Sequence, residues 1–119
     1  MLTVTWIKSR AGTWLAFETF NIGTCDTDPG VYVIWHDGQP PWTVRVGQGD
    51  VPDRLGKHRR DPRVLAYRSY GAGLFVTWAS VPARYLDGVE RYLADQLRPL
   101  IGDAFPDVAP IPVNLPWAA

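Results

Sequence analysis

Only one cysteine, Cys25, is present, so no disulfide can form within the chain and a reducing compartment is the simplest expectation. Histidine is almost as scarce, with His36 and His58 alone. One Cys and two His cannot build a closed zinc site without several carboxylates. No apolar run approaches the length of a membrane span, and the N-terminus lacks a basic segment followed by an apolar one. A cytoplasmic protein with no use for a membrane is therefore expected. The formal net charge is zero, so no global field draws the chain to nucleic acid or to an anionic surface. Internal repeats and low-complexity segments are lacking as well.

What is abundant is core-forming material. Apolar residues make up 46% and aromatics 13% of the sequence, with six tryptophans among its 119 residues. That length buries roughly two-thirds of the surface exposed by the unfolded chain, which is enough for one domain. Charge is unevenly spread within it. From Arg54 to Arg68 there are six bases (Arg54, Lys57, Arg59, Arg60, Arg63, Arg68) against one acid, Asp61. Such a run is more often a solvated face than a binding patch.

Thr, Val, Ile, Trp and Phe dominate residues 3–20, broken by SRAG around Gly12, and predict a β-hairpin. GVYVIWHD (30–37) and TVRVG (43–47) flank the turn DGQPPW and predict two antiparallel strands. Asp50 is a suitable N-cap for a helix from Val51 to about Asp61, with Pro52 in its first turn and Pro62 as its stop. LFVTWASV (74–81) predicts a third strand. The longest helix should run from Pro82 to Gly102, with Pro99 inside the pattern as a kink or early stop. Four prolines after it predict an extended tail on the surface. Neighbouring strands joined by short turns point to an antiparallel or mixed sheet with helices packed on it, an α/β chain of the α+β type.

Periodicity then singles out polar residues in apolar places. At about 100° per residue, Leu86, Val89, Leu93, Leu97 and Leu100 form the buried face of the long helix, and Glu90 projects inside that stripe. A carboxylate there is expensive unless paired, hydrogen-bonded or metal-bound. On the shorter helix Val51, Arg54, Leu55 and His58 share one side, an inward Arg and His at i, i+4. Two alternatives stand: a structural Arg54–Glu90 ion pair with a core histidine, or a functional pocket. Lys57, Arg59 and Arg60 face outward, a candidate edge for phosphate contacts. Tyr32 lies mid-strand, where packing is the usual role. Neither familiar phosphate loop is present, because GQGDVPDRLGK fits neither the P-loop nor the dinucleotide spacing.

GVY at 30–32, RVG at 45–47 after a gap of twelve residues, Arg54 seven beyond Gly47, His58 four further, Glu90 in the last long helix and Asn114 in the tail together resemble the GIY-YIG nuclease domain. The resemblance covers about residues 28–116. It divides the chain into a hairpin extension (1–29) and a nuclease-like domain (30–119), and it implies a central three-stranded antiparallel sheet flanked by helices. It implies, further, that the chain is an endonuclease hydrolysing phosphodiester bonds with a single Mg²⁺ or Mn²⁺, with Glu90 as the sole protein ligand. By the same carry-over, Arg54 holds the scissile phosphate, Tyr32 activates water with His58 as the alternative proton acceptor, Gly47 shapes the second motif and Asn114 supports the site. Gln48 becomes a phosphate contact.

The second motif departs from the family in having Arg45 where a tyrosine is usual. Arg45 thus either supplies another phosphate contact or marks weakened or lost cleavage. The expected partner is DNA, branched or nicked forms included, with a protein partner or a homodimer as a source of specificity. The competing reading is a GIY-YIG-fold module that binds nucleic acid or a protein without cutting. A third, weaker one is a toxin-like nuclease held by an inhibitor.

Overall fold

The computed structural model describes residues 1–25, 28–102 and 104–117. It holds one four-stranded antiparallel sheet in the order β1-β4-β2-β3, made of β1 (Leu15–Ala16), β2 (Pro29–His36), β3 (Trp42–Asp50) and β4 (Leu74–Ser80). Helices α1 (Val51–His58) and α2 (Pro62–Leu65) follow β3, and α3 (Leu86–Leu97) follows β4. The α+β class stands.

β2 is the central strand. β-branched and aromatic residues suit a pleated surface buried on both sides, and every residue from Gly30 to His36 is buried. Alternation then divides the core. Tyr32 and Ile34 join Val44, Val76, Trp78 and Leu55 on the face covered by α1. Val31, Val33 and Trp35 join Val46, Val89 and Leu93 on the face covered by α3. Each Val, Leu or Ile so buried stabilises the fold by roughly 1.5–3 kcal/mol.

α1 begins as expected: the Asp50 side chain accepts from the Asp53 amide at 3.1 Å, with Pro52 in the first turn. It stops earlier, at His58, and the Asp-Pro pair read as a terminator starts α2 instead. Asp61 caps α2 by accepting from the Arg63 amide at 2.9 Å. α3 is shorter than expected at both ends. A 3-10 turn (Ala83–Tyr85) precedes it, and Arg98 takes a left-handed conformation (φ 49°) just before Pro99. Leu100 therefore leaves the buried face and is exposed, while the Leu100 and Ile101 amides bond the Thr43 and Val44 carbonyls of β3.

Residues 3–20 are not a self-paired hairpin. A tight turn links Ser9 and Thr13, but Leu15–Ala16 pair with β4 and the Ile7 amide donates to the Trp78 carbonyl at 3.0 Å. The segment thus covers β4's free edge, extending the expected three strands to four and placing Phe17 in the core. The tail is extended but not merely superficial: Val113 is buried, Leu2 bridges to it, and Ile111 bonds the Gly88 carbonyl of α3. No helix among the described residues is long and apolar enough to cross a membrane.

Candidate active site

A cleft of about 310 Å³ lies at the outer edge of β3, lined by Tyr32, Arg45, Gly47, Gln48, Gly49, Arg54 and Glu90. Three elements build it. From β2, Tyr32 faces α1 and stands opposite Gly47 of β3. A Cβ on Gly47 would run into the Tyr32 hydroxyl and ring, so the glycine is what lets the ring lie across the neighbouring strand. The phenol then reaches His58, in the last turn of α1, at 2.6 Å from Nε2. Tyr32 is 2% and His58 8% exposed. Gly49 adopts φ 116° as β3 turns into α1, which brings Arg54 beside it. From the other face of the sheet, α3 supplies Glu90, half-buried, whose Oε1 accepts from Gln48 Nε2 at 2.9 Å.

Among the described residues no ion pair joins the charges of the cleft. Two guanidinium nitrogens of Arg45, Nε and Nη1, are buried without a hydrogen-bond partner. Among the described residues the Glu90 carboxylate makes no ion pair. The Arg54–Glu90 pair that would have explained both residues structurally is absent from this arrangement. Burial raises the Glu90 pKa, as does the charge of Asp87, against the Gln48 hydrogen bond and the charges of Arg45 and Arg54. Burial, aided by the Arg45 charge, pushes His58 down to about 4, so the ring is neutral near pH 7 and in its Nδ1–H tautomer accepts a hydrogen bond from the Tyr32 hydroxyl at Nε2. Burial also raises the Tyr32 pKa, with Arg45 opposing.

Tyr32, Arg45, Gly47, Gln48, Arg54 and Glu90 are thus brought together, with His58 behind Tyr32. Arg54 sits on the flank of the Val51, Leu55 and His58 stripe, so it is exposed at the rim and not buried as its helical position suggested. Three expected contacts lie elsewhere. Arg59 is turned back to the N-terminal segment, donating from Nε to the Phe17 carbonyl at 2.9 Å and from Nη2 to that of Phe20, with its guanidinium over the Phe20 ring; it is not free to meet a phosphate. Asn114 is committed to Val4, accepting from its amide at 2.8 Å and donating to its carbonyl at 2.9 Å, and does not line the cleft. The Gln48 amide nitrogen holds two carboxylates, Glu90 and Asp87 Oδ1 at 2.6 Å, which leaves it no proton for a phosphate. Lys57 and Arg60 are exposed, outside the cleft, with Lys57 bridged to Asp53 at 3.2 Å.

Asp87 is the residue that sequence reasoning missed. The i, i+3 spacing to Glu90 was the available signal, hidden because the helical projection places Asp87 among the polar residues. No group of three or more His, Cys, Asp or Glu that could hold a metal occurs among the described residues. Comparison of the chain with protein-family models, with curated proteins and with solved structures finds no match.

Proposed function

We propose that this protein is a divalent-metal-dependent endonuclease that hydrolyses phosphodiester bonds in DNA, of the GIY-YIG kind. One observation carries the reading: a half-buried arginine with two buried, unpartnered nitrogens and a half-buried carboxylate with no cation share one cleft. Orphaned buried charge costs free energy comparable to a lost hydrogen bond or more, and both groups are satisfied by a phosphate with its metal ion. The donor set fits such an ion, because Mg²⁺ commonly takes one or two carboxylates and fills its shell with waters and substrate phosphate. Glu90 would hold it, with Asp87 beside the same Gln48 amide. A bound divalent ion supplies charge neutralisation at the phosphoryl group and lowers the pKa of its waters.

The chain's own residues do the rest. Arg45 and Arg54 hold the scissile phosphate and stabilise the charge that grows on it. The Tyr32 hydroxyl takes a proton from the attacking water as it passes its own to His58 Nε2, so the phenol itself never has to persist as an anion. His58 is a weak base beside Arg45 alone, and the negative charge of an arriving phosphate raises its pKa toward usefulness. Gly47 permits the Tyr32 placement, and Gln48 orients Glu90.

A second reading has a specific observation in its favour: Arg45 stands at the second-motif position where the family has a tyrosine. The alternative is a module that binds nucleic acid or a protein partner without cutting. The deciding experiment incubates plasmid, single-stranded and branched DNA with the purified protein and Mg²⁺ or Mn²⁺, with EDTA, Glu90→Ala and Arg54→Ala as controls. Metal-dependent nicking lost in both variants supports the nuclease. Salt-dependent DNA binding that Glu90→Ala leaves unchanged, with no cutting by the parent, supports the module.

A further inference from the structure

A second cavity, of about 380 Å³, opens at the far end of the same strand and helix. Its walls include four of the six tryptophans, Trp14, Trp35, Trp42 and Trp117, with Thr43 and Gln96 between them. Trp35 meets Trp14 edge-on with centroids 5.3 Å apart and Trp117 at 4.9 Å. Trp42 is fixed by its indole N–H, which donates to the Arg98 carbonyl at 2.9 Å, yet it is 43% exposed. The volume lies in the range of pockets for small planar ligands, roughly 300–1,000 Å³.

The lining says what class of ligand fits. No charged side chain lines the cavity, so a phosphate finds no counter-charge there, and Lys8 Nζ already lies over the Trp14 ring, where it repels a second ammonium group. The Gln96 amide and the Thr43 hydroxyl make no hydrogen bond to other described residues, and both are directed at no known partner. A neutral, flat, hydrogen-bonding group satisfies all of this: aromatic faces for stacking and an amide with a hydroxyl for its edge. Cations flank the cavity instead of lining it. Lys8 Nζ lies 4.4 Å above the Trp14 ring, and the exposed Arg98 follows Leu97 of the wall.

Position supplies the second argument. Gln48 contacts Glu90 near one end of β3 and α3, whereas Thr43 and Gln96 share the tryptophan cavity at the other. Six helical residues from Glu90 to Gln96 and five strand residues from Gln48 to Thr43 correspond to about 9 Å and about 17 Å respectively. A short run of nucleotides spans such a distance. We infer that the tryptophan cavity is a stacking pocket for an unpaired nucleobase of the strand whose phosphate occupies the Arg45 cleft. This deepens the nuclease reading and rests on it for the strand's path, but the pocket's preference for unpaired bases is measurable without cleavage. A paired base cannot enter, so the substrate class is DNA with a single-stranded segment, such as a flap or branch.

The test uses the full chain in EDTA, with fluorescence anisotropy of labelled oligonucleotides: a single strand, the same strand with abasic sites throughout, and a blunt duplex. The single strand should bind more tightly than its abasic counterpart, and tryptophan emission should be quenched on binding. Trp42→Ala should weaken single-strand binding about five- to a hundred-fold and leave duplex binding unchanged. Gln96→Leu, an exposed helix position, should weaken it in the same direction, and circular dichroism confirms that both variants are folded. Equal binding of abasic and base-bearing strands, no binding of any oligonucleotide, or equal losses on duplex and single strand would overturn the pocket. Base-dependent binding by a protein that never cuts would retain the pocket and sink the nuclease reading. Cutting with base-independent binding would do the reverse.

Discussion

Glu90 and His58 are both held by burial away from the charged form, and this makes them opposite in their effect on stability. Glu90 has a folded pKa raised above its free value, so at neutral pH its ionised form opposes folding, and the cost is relieved as pH falls through that range. Glu90→Gln should therefore raise the Tm at pH 7.5 while cutting DNA cleavage by about a hundred-fold or more. A variant that loses both stability and activity would show that the carboxylate is structural. His58 has a folded pKa of about 4, below its free value near 6.5. Protonation favours the unfolded chain, so its stabilising effect is complete above about pH 6.5 and is lost as pH falls toward 4. On the order of 3 kcal/mol is at stake, roughly 10 °C in Tm for a domain of this size. Thermal unfolding from pH 7.5 to 4.5 should show the decline, and His58→Gln should flatten it. Among these residues, legibility followed chemistry that is visible in a pattern. A carboxylate inside an apolar stripe left its trace in the sequence, whereas Gly47 was singled out only by its place in a short motif and the register that sets it against Tyr32 came from the sheet. The amide of Gln48 bridging Asp87 and Glu90 left none, because the contact joins a strand to a helix and no periodicity records it.

Strands and caps were the easiest elements to foresee, because their causes are local. β2 and β3 declare themselves by β-branched and aromatic residues, and α1 by the Asp50 cap. Ends were harder. α3 stops at Arg98 in a left-handed conformation that glycine normally occupies, so nothing in its sequence before Pro99 marked the spot. Arg98→Gly should accordingly keep or raise the Tm by a few degrees, since the strain of a non-glycine residue there is on the order of 1 kcal/mol; a fall would mean that the arginine side chain matters for packing. Long-range edges were legible only as a hairpin extension, with no edge assigned to it. Apart from the Ser9–Thr13 turn, the N-terminal residues pair with β4 and with the tail, and alternation in a strand says nothing about which edge it will meet. Asn114→Ala should cost about 1–3 kcal/mol by removing both bonds to Val4, with cleavage per folded molecule unchanged. An activity loss without a Tm loss would return Asn114 to the site.

The molecule as a whole carries no net charge, so on the proposed function a polyanion would meet only a few cations near its cleft. Arg45 and Arg54 line it, Arg60 is exposed outside it, and Lys57 is partly engaged by Asp53. DNA binding should thus weaken with salt only moderately, with log Kobs against log salt falling at a slope of about −2 to −4. A slope near zero would remove phosphate contact from the account, and one beyond about −6 would demand a much larger basic surface.

The staple between the chain's two ends has a kinetic side. Val4 and Asn114 are 110 residues apart in sequence, and Trp6 donates its indole N–H to the Asn114 carbonyl at 2.9 Å. Closing such a loop is slow compared with local contacts, and during synthesis it must wait until Asn114 has been made. The sheet and α1 can assemble earlier, but β4's outer edge receives its cover from a segment whose own anchor, Asn114, is made 110 residues after Val4. The nascent domain therefore passes through an interval in which that edge is only loosely guarded, the condition under which strand-to-strand association between molecules begins.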